Sequence, residues 1–193
     1  MMTGYLLFTT ILLTSSFLVL VDNNNRISKA IASSSSSTAL ESKHFLTVEK
    51  PTLGFKISYP YNWNIIDNDF LITFKAPQNA ATVTFSINNL TSYSRANLTL
   101  EQYSSNKINN IKSVESKKAG NVIKFLESKP HLLSGQPGYG IVFLNGTVPP
   151  YKTLLVWSLV DGTVYQIRYS AKISEYSNYV QIVFYMIDSF RLL

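Results

Sequence analysis

Thr153–Tyr169, TLLVWSLVDGTVYQIRY, reads as two strands joined by a two-residue turn. From Thr153 to Val160 nearly every position but Ser158 is apolar, so side chains on both faces need cover. That pattern marks a strand inside a sheet with a layer above and a layer below it. Asp161-Gly162 is a strong hairpin signal, because both central residues of such a turn take positive φ, which Gly enters freely and Asp tolerates. The chain then returns through Thr163–Tyr169. An antiparallel sheet is therefore the organising element, and both of its faces must be packed.

Working outward, Tyr176, Tyr179, Val180, Val183, Ile187 and Phe190 recur at helical spacing over four turns and supply an apolar stripe to cover one face. On the N-terminal side, Phe55, Ile57 and Tyr59 alternate with polar residues until Pro60, which ends the strand. Phe70, Ile72 and Phe74 repeat the alternation, as do Val83, Phe85 and Ile87, and short polar turns between the three predict an antiparallel meander. Trp63, just past Pro60, has a large apolar area to bury at the end of the sheet; the alternative is an exposed ring gripping a ligand. Thr99 and Gln102 match a capping box, and Leu100, Tyr103, Ile108, Ile111 and Val114 form the apolar face of the helix that follows. Strand patterns resume at Asn121–Ser128 and Tyr139–Asn145. The sum is an α+β fold, an antiparallel sheet of about six strands sandwiched between helices.

Ahead of this body, Tyr5–Val21 holds seventeen residues without a charge, spanning about 26 Å as a helix, close to a bilayer's hydrocarbon thickness. Residues 1–32 read as a signal peptide, with Ala30-Ile31-Ala32 as cleavage site, or as an N-terminal membrane anchor. Arg26 and Lys29 follow the apolar stretch and count against an outside C-terminus, but an apolar segment without a partner argues for export. Residues 33–43, opening with five serines, form a flexible tether, and residues 44–193 form the folded domain. The expected location is extracytoplasmic, secreted or anchored by residues 5–21. Three glycosylation sequons, at Asn89, Asn97 and Asn145, agree with export, although three is what this Asn-, Ser- and Thr-rich composition produces by chance.

The chain contains no cysteine, which excludes disulfides, zinc–thiolate sites, iron–sulfur clusters and a thiol nucleophile. Its net charge is +6, and without the first 32 residues the balance is 15 basic against 10 acidic. That mild bias suits an anionic surface or ordinary solubility, and no nucleic-acid recognition motif accompanies it. His44 and His131 read as solvated residues, one at the tether boundary and one in a turn after Pro130, with no metal-ligand spacing. No nucleophile elbow is present, and Gly138-Tyr139-Gly140 is neither a Walker loop nor a dinucleotide fingerprint. Asp67-Asn68-Asp69 offers hard oxygen ligands suited to calcium, but the glycine and distal glutamate of a calcium loop do not follow, and such residues also favour plain turns. Lys112, Lys117 and Lys118 cluster after the first helix, facing lipid headgroups or simply water.

GFKISYPYNW (Gly54–Trp63), DGTVYQIRYSA (Asp161–Ala171), the tyrosine-rich helix ending in MIDSF (Met186–Phe190) and, less distinctively, GQPGYGIVF (Gly135–Phe143) together resemble PsbP-like domains across Phe45–Leu193. The resemblance implies an antiparallel sheet between helices, a fold shared with a Ran-binding nuclear-transport factor. It also implies a non-enzymatic protein: plant members are extrinsic photosystem II subunits supporting calcium and chloride retention, and many others are exported proteins of unassigned activity. Plant members dock through an N-terminal extension, and nothing in the apolar leader and serine run of this chain matches it. Fold alone does not assign function. The expectation is a non-catalytic, membrane-proximal binding or assembly module for an envelope protein or membrane complex. The alternative is an extracytoplasmic small-ligand or calcium-binding protein, recognisable by a concave site of ~300 Å³ or more.

Overall fold

In the computed structural model, which describes residues 44–68, 70–90, 98–116, 123–146 and 148–193, the Asp161-Gly162 hairpin sits at the heart of the larger of two sheets. Both turn residues have positive φ, 47° and 73°, the geometry that twists a two-residue turn in the sense of its strands. The hairpin joins β8 (Tyr151–Val160) to β9 (Thr163–Lys172). Around it lie β3 (Asn64–Asn68), β4 (Leu71–Lys75), β5 (Ala81–Asn89), β6 (Lys124–Leu133) and β7 (Gln136–Asn145), in the spatial order β3-β4-β5-β9-β8-β7-β6. Every neighbouring pair is antiparallel. Among the described residues two α-helices accompany the sheets, α1 (Leu100–Ser116) and α2 (Ile173–Ser189).

The expected meander is corrected at its first strand. Phe55–Pro60 is β2, and it pairs not with the strand at Ile72 but with β1 (Phe45–Lys50) and β10 (Arg191–Leu192) in a separate three-stranded sheet. Pro60 cannot donate to a ladder, and the chain turns immediately after it: Trp63 N donates to the Pro60 carbonyl and Tyr61 N to that of His44. The partner that β4 uses instead is β3, a short and largely exposed edge strand. Among the described residues the larger sheet thus has seven strands where about six were expected.

Each face of the seven-stranded sheet has its own core. On one face Phe74, Phe85, Val156, Ile167 and Tyr169 meet Val183, Met186 and Ile187 of α2 and Phe55 and Ile57 of β2. Trp63 joins this core, edge-on to Tyr179 with ring centroids 5.9 Å apart, so its role there is packing. On the opposite face Ile141, Phe143, Leu155, Trp157 and Val164 meet Leu100, Tyr103, Ile108 and Ile111 of α1. The two-sided apolar character of β8 is fully used: Leu154 and Val156 serve one core, Leu155 and Trp157 the other. The capping box forms as the sequence predicts, with Thr99 N donating to Gln102 Oε1 (3.0 Å) and Gln102 N to Thr99 Oγ1 (3.2 Å).

Candidate functional site

α2 packs chiefly on β2, β9, β5 and β8 and less on the outer strands. The far end of that sheet face is therefore left without a lid among the described residues. The result is a groove of about 530 Å³ between α2 and the β6–β7–β8 end of the sheet. Its floor is Gly140, Val142, Leu154 and Val156; its wall is Tyr176, Val180 and Phe184. Leu126 and Phe184 stand at its mouth, 45% and 39% exposed. The outer boundary is β6, an edge strand with one ladder partner. Such edges invite unplanned pairing and are usually guarded; here Pro130, the alternating charges of Glu127 and Lys129, and a register shift between Phe125 and Glu127 do so.

The polar groups of the groove sit on its rim. Lys129 is ion-paired with Glu127. Lys152 Nζ lies 4.4 Å from the centre of the Tyr176 ring, a cation–π contact that keeps both side chains in place. Burial pushes the Tyr176 phenol up to about 12, with the Glu127 charge adding to the effect, and burial likewise raises Tyr169. The Tyr169 hydroxyl donates to the Tyr176 carbonyl at 2.7 Å. Both phenols are therefore neutral and fixed at physiological pH.

His131 corrects the sequence reading. It lies not in a solvated turn but within β6, opposite Gly138, half-buried on the groove rim. Pro130 signals a turn in isolation, yet an edge strand tolerates proline because its outward N–H has no partner to lose. Burial holds the His131 imidazole below its ordinary value; the Asp188 charge opposes this and the Lys129 charge reinforces it. Its Nε2 is buried without a hydrogen-bond partner among the described residues, an arrangement that costs about 1–3 kcal/mol until something bonds to it. Among the described residues no carboxylate or hydroxyl is hydrogen-bonded to this imidazole. What the groove offers chemically is apolar burial with a few hydrogen-bonding groups at its edge.

The other candidate residues lie elsewhere. Asp67 is ion-paired with Lys50, and Asp69 lies outside the described residues. Among the described residues no group of three or more His, Asp or Glu side chains gathers to hold a metal. Asn89 ends β5; Asn145 ends β7, where its Oδ1 accepts from Tyr151 N at 3.0 Å; Asn97 is outside the described residues. His44 rests against Tyr61. Lys112 Nζ lies 5.3 Å from the Phe125 ring, while Lys117 and Lys118, like the whole of residues 1–43, are outside the described set. No helix among the described residues is long and apolar enough to cross a membrane.

One residue escaped notice in the sequence. Lys107 occupies the position seven after Leu100, on the apolar stripe of α1 between Tyr103 and Ile111. A cation at a stripe position is a signal the periodicity already carries.

No protein-family model matches the sequence, and no curated protein matches it. In shape the chain is similar to cyanobacterial PsbP from Synechocystis, with a TM-score of 0.62 at 12% identity over 78% of this chain and 93% of that one. It is also similar to the Ran-binding protein Mog1p of Saccharomyces cerevisiae (0.52, 7% identity, 77% and 95% covered). A third is LpqN of Mycobacterium tuberculosis, a protein involved in cell envelope biogenesis (0.50, 10% identity, 89% and 99% covered). At such identities the likeness establishes the fold: this is an α+β sandwich of the PsbP and Mog1p type, as the sequence motifs led one to expect.

Proposed function

We propose that the domain is a non-catalytic binding module that holds an apolar segment of a partner protein in the groove between α2 and β6–β8. The leader at Tyr5–Val21 and the serine-rich tether would present it outside the cell at the membrane, and the partner would be an envelope protein or complex. The observation that carries the reading is the groove itself: a floor of valine and leucine and a wall of Val180 and Phe184 lie open beside an edge strand. Apolar surface of that kind, rimmed by charge, is where protein segments dock. Among proteins of the same fold, one is described as Ran-binding and another as involved in envelope biogenesis, which is consistent with a fold used for binding.

A photo-crosslinking amino acid placed at Leu126 in the full chain, expressed in its native cells, tests this. The expected result is a discrete adduct that falls about tenfold or more when Phe184→Asp is added, since interface energy concentrates in a few buried aromatic anchors. Phe184 is partly exposed, so that variant should melt normally. Adducts unchanged by Phe184→Asp, or none at all, would end the proposal. A reporter fused after Leu193 that remained cytosolic would remove the export part alone.

A second reading is a small-ligand site, favoured by the groove's volume and by the unpartnered Nε2 of His131. It predicts that an apolar carboxylic acid or amide raises the melting temperature of the wild type and not of His131→Phe. Calcium at Asp67 and Asp69 is the remaining form of this reading. Binding would require Asp67 to leave Lys50, so calcium titration of Lys50→Ala should then show tighter binding than the wild type.

A further inference from the structure

Lys107 projects from the apolar face of α1 toward the sheet. Its Nζ donates to the Tyr103 hydroxyl at 3.3 Å and lies 5.5 Å and 5.8 Å from the Tyr103 and Trp157 rings. The charge that bears on it is another cation, Arg168 of β9, and neither forms an ion pair among the described residues. Loss of water around the ammonium, and then the Arg168 charge, push Lys107 down to about 8. Two cations brought together without a counter-charge are costly unless something anionic completes the arrangement.

There is room for that completion. Lys107 lines a pocket of about 530 Å³ with Asn88, Leu98, Tyr103, Asn106 and Asn110. Among the six described lining residues five carry hydrogen-bond donors and none is acidic, a lining that suits an anion attached to a hydroxyl-bearing body. The adjoining half of the sheet has the same character. Where β7 and β8 present Ile141, Phe143 and Leu155 to α1, the corresponding positions of β5 and β9 are Thr84, Ser86, Gln166 and Ser170, partly exposed and free of acid. Thr84 is the cross-strand neighbour of Arg168, and Ser86 of Gln166, so a polar path leads from Arg168 across the strands. A lipid tail finds little to bury against here, since Leu98 is the one aliphatic residue among the described lining residues.

We propose that this pocket, lined by Lys107 of α1 and flanked by Arg168 on the same face of the sheet, binds the anionic group of a phosphorylated or carboxylated sugar. The site lies on the face of the sheet opposite the α2 groove and stands or falls independently of it.

Trp157 is one of two tryptophans in the chain, and its contact with Lys107 makes its emission a reporter. The full chain is titrated with glucose 6-phosphate, glucuronate, inorganic phosphate and glucose, and with phosphatidylinositol vesicles. Glucose 6-phosphate or glucuronate should shift the emission saturably, with glucose at least about tenfold weaker. Lys107→Met should abolish the response while melting at or above the wild-type temperature, and Arg168→Gln, an exposed substitution that leaves packing intact, should weaken the charged sugar about threefold by removing a nearby positive charge. Because Lys107 loses its proton near 8 in the free protein, affinity should be about tenfold lower at about pH 9 than at about pH 7. A response to vesicles that needs Lys107, with none to the soluble sugars, would assign the same chemistry to a lipid headgroup. No saturable change by about 10 mM, equal affinity for glucose and its phosphate, inorganic phosphate binding as well as either sugar, or a response unaltered in both variants would each overturn the proposal.

Discussion

Trp157→Ala is expected to lower the free energy of unfolding by about 3–5 kcal/mol, a large part of what a single domain possesses. The residue is fully buried at the centre of the contact between α1 and the sheet. Its indole Nε1 donates to the buried Ser104 hydroxyl of α1 at 2.9 Å, and its ring lies 5.6 Å from that of Tyr139. Truncation therefore leaves a cavity and also strands Ser104 without its donor, whose own cost is about 1–3 kcal/mol. Trp157→Phe separates the two effects, since it keeps most of the volume and loses the hydrogen bond. Urea unfolding measures both. Among the described residues the core on this face has fewer buried members than the core under α2, so hydrogen exchange in Trp157→Ala should rise first in α1 and only later in β9. A loss below about 1 kcal/mol would mean that α1 is not sealed by this residue.

That both cores would be needed was readable from Thr153–Val160, because a strand apolar on two faces cannot be satisfied by one layer. The capping box at Thr99 and the Asp161-Gly162 turn were readable for a related reason: each is a local hydrogen-bonding or backbone arrangement whose residues are adjacent in sequence. What was not readable depends on neighbours far away. β3 is nearly all exposed and carries no alternation to betray it. β10 is two residues long and exists because Leu193 N reaches the Gly54 carbonyl and Leu192 N the Ser134 hydroxyl. His131 looked solvated because Pro130 and His131 suit a turn, and only the edge position of β6 makes them strand residues. The groove likewise follows from where α2 stops, a property of packing that no stretch of residues states. Lys107 is different, since it broke the apolar stripe of its own helix and was visible there.

Two glycines of β7 give the other large effect, and they pull in opposite directions. Gly138 is buried between β6 and β8, paired with His131 on one side and Ser158 on the other. A Cβ built on it would overlap the Trp157 carbonyl oxygen and stand 3.1 Å from that of His131. Both obstacles are backbone atoms of neighbouring strands, which cannot rotate aside as a side chain can. Gly138→Ala should therefore cost about 3 kcal/mol, the upper part of the range for overpacking, with the register of β7 against β8 disturbed beside Trp157. Gly140, two residues along, meets nothing closer than His131 Cβ at 3.7 Å and Val156 Cγ2 at 3.8 Å. Gly140→Ala should be neutral or stabilising by up to about 1 kcal/mol, because the unfolded chain loses freedom and the folded chain loses nothing. The same methyl group, however, rises from the groove floor between His131 and Val156. Thermal melting together with the Leu126 crosslink should then split the pair: Gly138→Ala unstable, Gly140→Ala stable but weaker in capturing its partner. If Gly138→Ala melts within a degree or two of the wild type, the close approach of β7 to the Trp157 carbonyl is wrong. If Gly140→Ala crosslinks as well as the wild type, the partner does not reach the groove floor.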